Sequence, residues 1–208
     1  PEKRVAIYTL GCKVNQYESA ALGGLFQERG YRVVGFGEDA GVYVLNTCTV
    51  THHADRKSRQ IIRRAARANP KALIVVTGCY AQTSPDEALK IPGVNLVLGT
   101  KNRAGLVDLV ESAVKGRNPL NAVSEYMNGD EFEEILAVPL QERSRAFLKV
   151  QEGCSNYCTY CIVPGARGPM RSRRPEMVIE AARQMVAAGF KEIVITGIRT
   201  GAYGQDLG

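Results

Sequence analysis

The run ALIVVTGCY, residues 72–80, decides the fold, because a short apolar stretch that ends at a glycine is typical of a β-strand. Similar runs occur upstream as RVAIYTLG (4–11) and GVYVLN (41–46), and downstream as NLVLG (95–99). Helical patterns stand between and after them, at NQYESAALGGLFQERG (15–30), 53–68, 85–90 and NRAGLVDLVESAVKG (102–116). This alternation predicts an α/β fold in which helices cover a parallel sheet.

A cysteine follows each of three predicted strands. Cys12 comes after IYTLG, Cys48 after YVLNT and Cys79 after IVVTG. Ligands of open parallel α/β sheets bind outside the carboxyl ends of the strands, so we expect these thiols to converge at one edge. Buried free cysteines that only pack there are the simpler interpretation of the spacing alone.

The other three cysteines form the motif Cys154-Ser-Asn-Tyr-Cys158-Thr-Tyr-Cys161. Three thiolates on one short loop can hold three corners of a four-iron four-sulfur cluster and leave the fourth iron open. Zinc fits less well, because no fourth Cys or His lies near the motif. Disulfides are disfavoured because the first residues, PEKRVAIYTLGC, contain no apolar export signal.

The segment VQEGCSNYCTYCIVPGARGPMRSR, residues 150–173, resembles the radical S-adenosylmethionine (SAM) enzymes and, within them, the tRNA methylthiotransferases. The similarity extends into the first half through GCKVNQYES (11–19), NTCTVT (46–51) and TGCYAQ (77–82). This resemblance implies an N-terminal parallel-sheet methylthiotransferase domain followed by the first part of a radical SAM (β/α) barrel. GCKVNQYES and ARGPMRSR are most like the branch that acts on N6-threonylcarbamoyladenosine.

The resemblance also implies cofactors and the residues that hold them. Two four-iron four-sulfur clusters are expected, one on Cys12, Cys48 and Cys79 and the other on Cys154, Cys158 and Cys161. The open iron of the second cluster would bind SAM, with Tyr160 near the adenine and Thr196 and Gly197 near the methionine end. The chain lacks the Gly-Gly-Glu usual at that position, and a strand-ending turn is the alternative role for Gly197.

The activity implied by the family is a modification of tRNA beside the anticodon. A radical made from SAM would remove hydrogen from C2 of N6-threonylcarbamoyladenosine, and a methylated sulfur from the first cluster would replace it. Partners would be tRNA and an electron donor protein. The alternatives are transfer to isopentenyladenosine in tRNA or to a ribosomal protein, an iron–sulfur electron carrier, and an iron–sulfur RNA-binding module without turnover.

The chain divides into residues 1–117 as the N-terminal domain, 118–143 as an acidic connector and 144–208 as the start of the radical SAM domain. We expect the connector to be irregular rather than packed, or else to be an excursion on the surface of one larger domain. The chain ends soon after the second predicted barrel strand. We therefore expect a segment of a longer enzyme that is inactive by itself.

Composition adds little to this interpretation. The net charge of +6 fits a polyanionic partner but does not require one. No apolar stretch is long enough to cross a bilayer, and the cysteines are typical of reduced metal ligands, so we expect a cytoplasmic protein.

Two groups of arginines are candidate contacts for RNA. On the helix at 53–68 the group is Arg56, Arg59, Arg63 and Arg67, opposite Ile61, Ile62 and Ala65. Contact with phosphates and a merely solvated face are both compatible with this pattern. After the cysteine motif the group is Arg167, Arg171, Arg173 and Arg174, for which we expect contact with substrate phosphate or carboxylate, or an exposed basic loop. His52 and His53 are expected at a helix start or on the surface, not at a metal.

Overall fold

A computed structural model describes residues 2–115, 119–127, 129–135 and 144–208. The first part of the chain contains a six-stranded parallel sheet with the spatial order β2-β1-β3-β4-β5-β6. The strands are β1 (Arg4–Thr9), β2 (Arg32–Val34), β3 (Val42–Thr47), β4 (Leu73–Gly78), β5 (Val94–Val97) and β6 (Leu120–Asn121). The predicted α/β fold is confirmed. The sequence does not predict β2 and β6, because they are too short to show a hydrophobic pattern.

Side chains on the central strands alternate between two apolar cores. On β4, Leu73 and Val75 face one core, and Ile74 and Val76 face the other. Helices α1 (Lys13–Glu28) and α5 (Leu106–Lys115) cover the first core, and α2 (His52–Ala68), α3 (Cys79–Thr83) and α4 (Pro85–Leu89) cover the second. A sheet buried on both faces explains why its strands read as continuous apolar runs.

Helix α2 begins with the two histidines of the chain. His52 and His53 are exposed, and the Thr51 side chain caps the helix by accepting a hydrogen bond of 3.1 Å from the backbone N–H of Ala54. The expectation of a helix start therefore agrees with the structure.

The second part of the chain is a β-loop-α-β unit. Strand β7 (Arg145–Lys149) pairs in parallel with β10 (Glu192–Thr196), and α7 (Pro175–Ala187) connects them. Between β7 and α7 lie β8 (Gln151–Glu152), α6 (Val163–Arg167) and β9 (Arg171–Ser172), with β8 antiparallel to β9. Tyr17 of α1 belongs to the apolar core of this unit, so the two parts of the chain pack against each other.

The acidic segment differs from its expected state. Apart from β6, its described residues are irregular, as predicted, but they are packed. Ile135 is buried and its carbonyl accepts a hydrogen bond from the Tyr17 hydroxyl, while Asp130 lies 2.8 Å from Lys101. Its carboxylates meet cations of both parts of the chain, which is why an acidic sequence packs here. The domain boundaries remain a prediction, and residues 116–118, 128 and 136–143 of the expected connector region lie outside the described residues.

None of the helices in the described ranges is both long enough and apolar enough to span a bilayer.

Candidate functional site

The cysteines of the first half lie at the carboxyl edge of the sheet. The spatial order places β1 beside both β2 and β3, so the connections change direction between β1 and β3. Such a switch point opens a crevice that commonly binds ligands. Cys12 follows β1 and precedes α1, Cys48 follows β3, and Cys79 is the first residue of α3 after β4. The structure thus brings together the three strand ends that the sequence predicted would meet.

Two glycines allow these strand ends to approach closely. Gly11 has φ +105°, and a Cβ added to it would lie 3.0 Å from Cys48 Cβ and 3.1 Å from Cys48 Sγ. Gly78 has φ +92°, and a Cβ there would lie 2.5 Å from both Asn46 Oδ1 and the Thr47 carbonyl. The contacts at Gly78 are closer than real Cβ atoms show, those at Gly11 are tight, and both residues have a positive φ, so both turns favour glycine.

Asn15 ties the first turn to the neighbouring strand. Its Nδ2 donates to the carbonyls of Leu10, at 2.7 Å, and Thr47, at 3.0 Å. Its Oδ1 lies 3.6 Å from Cys12 Sγ, which can donate a weak hydrogen bond. The buried amide therefore fixes the loop that carries Cys12.

The three thiols differ in their access to solvent. Cys12 is exposed, whereas Cys48 is 8% exposed and Cys79 is 4% exposed. Burial raises the pKa of the Cys79 thiol, and the positive charge of the Arg167 guanidinium opposes that rise. Arg167 comes from the second part of the chain, so the first cysteine site is completed by a cation from across the interface.

Arg167 belongs to a buried group of charges that we call the interdomain ion cluster. Its members are Glu18, Arg103, Lys149, Glu152 and Arg167, and each side chain is at most 2% exposed. Arg167 Nη1 lies 2.7 Å from Glu18 Oε1 and 2.7 Å from Glu152 Oε1. Arg103 Nη1 lies 2.8 Å from Glu18, and Lys149 Nζ lies 2.7 Å from Glu152. Such pairing is what makes buried charges tolerable.

Ionisation of the cluster follows from its composition. Burial disfavours the charged form of Glu18, but the cations of Arg103, Arg167 and Lys149 outweigh burial and hold the pKa of that carboxyl well below its usual range. Opposite charges at this distance favour the ionised state. Glu18 is therefore a carboxylate at neutral pH.

The second cysteine group lies on the loop between β8 and α6. Cys158 is exposed, and Cys154 and Cys161 are half-buried. The backbone N–H of Cys154 donates to the Gly168 carbonyl at 3.1 Å, and that of Cys161 donates to the Cys158 carbonyl at 2.9 Å. Gly153 starts the loop with φ +70°, where a Cβ would lie 1.9 Å from the Pro169 carbonyl. The loop is therefore seated against the segment that follows α6.

The three predicted SAM contacts are placed differently. Tyr160 is 90% exposed, so its ring is open to solvent. Thr196 ends β10 and is buried, and the next residue, Gly197, comes close to Gln151, since an added Cβ would lie 3.0 Å from Gln151 Cβ. Gln151 Nε2 in turn donates to the Gly153 carbonyl at 2.7 Å. Thr196 and Gly197 thus lie beside the root of the cysteine loop, and close packing explains the glycine.

The donor set fits an iron–sulfur cluster better than a single ion. Among the described residues, no three His, Cys, Asp or Glu side chains stand close enough to hold one metal ion. A cubane cluster places each cysteine on a separate iron, so its ligands need not meet at a point. The three thiols lie on one sheet edge, and two of them are shielded from water. The positive charge of Arg167 acts on Cys79, so this environment suits an anionic cluster.

The expectation of an exposed basic loop is wrong for three of the four arginines after the cysteine motif. Arg167, Arg171 and Arg173 are at most 5% exposed, because they pair with glutamates or carbonyls inside the protein. Contact of these arginines with substrate stays a prediction. Arg174 is exposed.

Sequence reasoning missed most of the interdomain ion cluster. Glu18 lies one helical turn before Leu22 on the buried side of α1, and Lys149 ends the apolar strand β7. The sequence does show charged residues at positions that the hydrophobic pattern assigns to the core. It does not show which residues pair with them, because the partners lie as far as 149 residues away along the chain.

Two family models match separate parts of the chain. Residues 4–99 match the family described as Uncharacterized protein family UPF0004, and residues 148–205 match the Radical SAM superfamily.

Individual relatives are named for methylthiotransfer or for a methylthio product. The chain is 54% identical over 203 residues to Threonylcarbamoyladenosine tRNA methylthiotransferase MtaB of Bacillus subtilis, an overlap that covers 98% of this chain and 45% of that protein. It is 35% identical to tRNA-2-methylthio-N(6)-dimethylallyladenosine synthase of Pelotomaculum thermopropionicum, covering 99% and 47%. It is 34% identical to Ribosomal protein uS12 methylthiotransferase RimO of Desulfitobacterium hafniense, covering 98% and 46%. The chain spans about half the length of these curated relatives.

Proposed function

We propose that this chain, which belongs to the radical SAM methylthiotransferase family, contributes both cysteine sites of an enzyme that converts N6-threonylcarbamoyladenosine in tRNA to its 2-methylthio derivative. One observation carries the proposal: the two cysteine groups lie on either side of a single interface. Gly168 accepts a hydrogen bond from the Cys154 backbone, and the preceding residue, Arg167, donates to the Asn15 oxygen that lies 3.6 Å from Cys12 Sγ. A reaction that needs radical generation and sulfur delivery together requires such proximity.

Each cysteine group has its own role in this proposal. Cys154, Cys158 and Cys161 hold one four-iron four-sulfur cluster, and Cys12, Cys48 and Cys79 hold the other. When bound, the clusters and SAM would supply the radical chemistry and the sulfur. The chain's own contribution is to shield Cys48 and Cys79 from water and to keep the more accessible Cys154 loop against the first site.

The proposed SAM contacts surround the Cys154 loop. Tyr160 is an exposed ring on that loop and is free to cover an adenine. Thr196 and Gly197 form the rim on the other side, where the absence of a side chain at Gly197 lets the backbone pack on Gln151. In this proposal Tyr160 contacts SAM from one side of the loop, and Thr196 and Gly197 contact it from the other.

The choice of substrate rests on the degree of similarity. Identity to the threonylcarbamoyladenosine enzyme is 54%, against 35% for the dimethylallyladenosine enzyme and 34% for the ribosomal protein enzyme. The alternative substrates are dimethylallyladenosine (isopentenyladenosine) in tRNA and a ribosomal protein. We therefore assign tRNA with N6-threonylcarbamoyladenosine as the substrate. The proposal also includes a donor protein as the source of the electron and the cytoplasm as the location of the reaction.

Helix α2 is the proposed contact for the tRNA backbone. It carries six cations, Arg56, Lys57, Arg59, Arg63, Arg64 and Arg67, and none of them forms an ion pair within the described part of the chain. Arg56, Arg63, Arg64 and Arg67 line one open groove. The helix starts four residues after Cys48 and runs for about 25 Å at 1.5 Å per residue, so it leads away from the cysteine edge. Unpaired guanidinium groups are suited to phosphates.

The test is mass spectrometry of tRNA nucleosides from cells that lack the protein and are complemented with full-length variants. Cys48→Ala and Cys158→Ala should each abolish the 2-methylthio derivative and leave N6-threonylcarbamoyladenosine to accumulate. Thr159→Ala changes an exposed neighbour of Cys158 and is the matched control, which should restore the product.

Other results would redirect the assignment. If cells that lack the protein lose the methylthio derivative of isopentenyladenosine, the enzyme belongs to the branch that modifies that base. If they lose the ribosomal protein modification, it belongs to the branch that modifies that protein. If both cysteine variants support full modification, or if the protein binds tRNA but releases no 5′-deoxyadenosine from SAM, the proposed enzyme is wrong.

A further inference from the structure

Arg167 occupies a position that its own domain does not explain. It ends α6, shortly after Cys161, yet its side chain is 1% exposed and lies against α1 of the first domain. A helix end on the surface of the cysteine loop would normally leave such a long cation in solvent. Here the chain buries it at the other cysteine site.

The contacts of the guanidinium use its planar fork fully. Nη1 donates to Glu18 Oε1 and Glu152 Oε1, each at 2.7 Å. Nη2 donates to Asn15 Oδ1 at 2.6 Å and to Glu18 Oε2 at 3.0 Å. These partners fix the plane and direction of the group, which a lysine ammonium could not match.

Through this geometry Arg167 touches the environment of two cysteines. The Asn15 oxygen that it contacts lies 3.6 Å from Cys12 Sγ, and the charge of the guanidinium opposes the rise in the pKa of the Cys79 thiol that burial causes. The backbone of the next residue belongs to the other site, since Gly168 accepts from the Cys154 N–H at 3.1 Å. Gly168 packs closely against Tyr126, since a Cβ added to it would lie 2.3 Å from the Tyr126 ring.

We propose that Arg167 is a positioning residue for the first cluster: its guanidinium holds Asn15, whose amide fixes the Cys12 loop, while the adjoining Gly168 holds the second cysteine loop, so that the two cysteine sites keep one register. This inference rests on the proposed function. A positive charge buried beside a cluster stabilises the more negative, reduced state, so Arg167 would raise the reduction potential of the first cluster. The radical SAM domain thereby tunes a cluster that it does not ligate.

The experiment uses the full-length protein with Cys154, Cys158 and Cys161 changed to alanine, so that iron reports on the first site alone. In this background we compare Arg167→Met, Arg167→Lys and the matched control Arg173→Met. Arg173 is equally buried at the same interface, pairs with Glu134 at 2.6 Å and has no described contact with a cysteine. The readouts are iron content per chain and the potential from a redox titration followed by electron paramagnetic resonance.

Arg167→Met should shift the potential to more negative values, Arg167→Lys should shift it less, and Arg173→Met should leave it at the parent value. Loss of first-site iron in Arg167→Met, with normal loading of Arg173→Met, also supports the positioning role. An unchanged potential in Arg167→Met, or equal effects of Arg167→Met and Arg173→Met, overturns it. A parent protein that binds no iron at the first site would refute the proposed function, and this inference with it.

Discussion

The interdomain ion cluster predicts a large cost for a small change at Glu18. Glu18→Gln keeps the size of the side chain but leaves the buried cations of Arg103, Lys149 and Arg167 with one buried carboxylate, Glu152, and with the half-buried Glu133, which lies 3.4 Å from Arg103. Removing one partner of a buried pair typically costs 3–5 kcal/mol, because the remaining charge stays desolvated. With Glu18 3% exposed and in contact with three cations, we expect a loss of about 3–5 kcal/mol in the free energy of unfolding.

The chain offers a matched control in Glu111. This glutamate also pairs with two cations, Lys3 at 3.0 Å and Arg29 at 3.5 Å, but its side chain is 31% exposed. Exposed pairs contribute little because water screens them, so Glu111→Gln should cost less than about 1 kcal/mol. The comparison isolates burial, since the chemical change is the same.

Urea denaturation of the two variants and the parent measures both effects. The midpoint should fall strongly for Glu18→Gln and slightly for Glu111→Gln, with similar slopes if the unfolded states are alike. If Glu18→Gln costs no more than Glu111→Gln, the charges of the cluster are not desolvated as described and the reasoning fails.

Acid should act on the same carboxylate. Because the folded-state pKa of Glu18 is held well below its usual range, its contribution is complete above the unfolded pKa of about 4.3 and is lost as pH falls toward the folded pKa. The parent should therefore lose stability on acidification below about pH 4.3 more steeply than Glu18→Gln. Parallel curves for the two proteins would contradict this assignment.

Two further predictions concern the turn before Cys79 and the basic helix. Gly78→Ala should lower the free energy of unfolding by about 2–5 kcal/mol, because its φ of +92° is strained for alanine and the Cβ would collide with Asn46 and Thr47. The control Gly24→Ala has open space around it in α1 and should not lower stability in the same thermal or urea melt. Arg63→Glu combined with Arg67→Glu should weaken tRNA binding and reduce the slope of log K against log salt by about 1.4–1.8, which corresponds to two lost phosphate contacts. Arg183→Glu, an exposed change on α7, is the control in that binding assay, and equal effects of the two changes would show that α2 is not a specific contact.

The sequence predicts the sheet well because its strands repeat one pattern. Apolar runs followed by helices can form a parallel sheet in few ways, and parallel strands place all their carboxyl ends on one edge. Cys12, Cys48 and Cys79 could therefore be grouped from their positions after three runs. The order of the strands could not be read in this way, because β2 supplies only three residues and β6 only two.

The interface could not be predicted from the same patterns. Arg167 and Arg173 read as members of a basic loop, because arginines close together in sequence are usually solvated. Their partners, Glu18 and Glu134, lie in α1 and in the acidic segment, and pairing depends on how the two parts of the chain dock. Long-range charge pairing leaves no local periodicity, so the prediction failed there.

The same contacts change what the family-like segments mean. GCKVNQYES and ARGPMRSR suggested the threonylcarbamoyladenosine branch, but Asn15 and Glu18 of the first segment bind Arg167 of the second inside the protein. Because they are buried by one another, these side chains report on the docking of the two domains. Within this chain, we expect contact with a substrate to depend on side chains that solvent reaches, such as Arg174. Exchanging those exposed residues, rather than the motif residues, is the change expected to alter the choice of substrate.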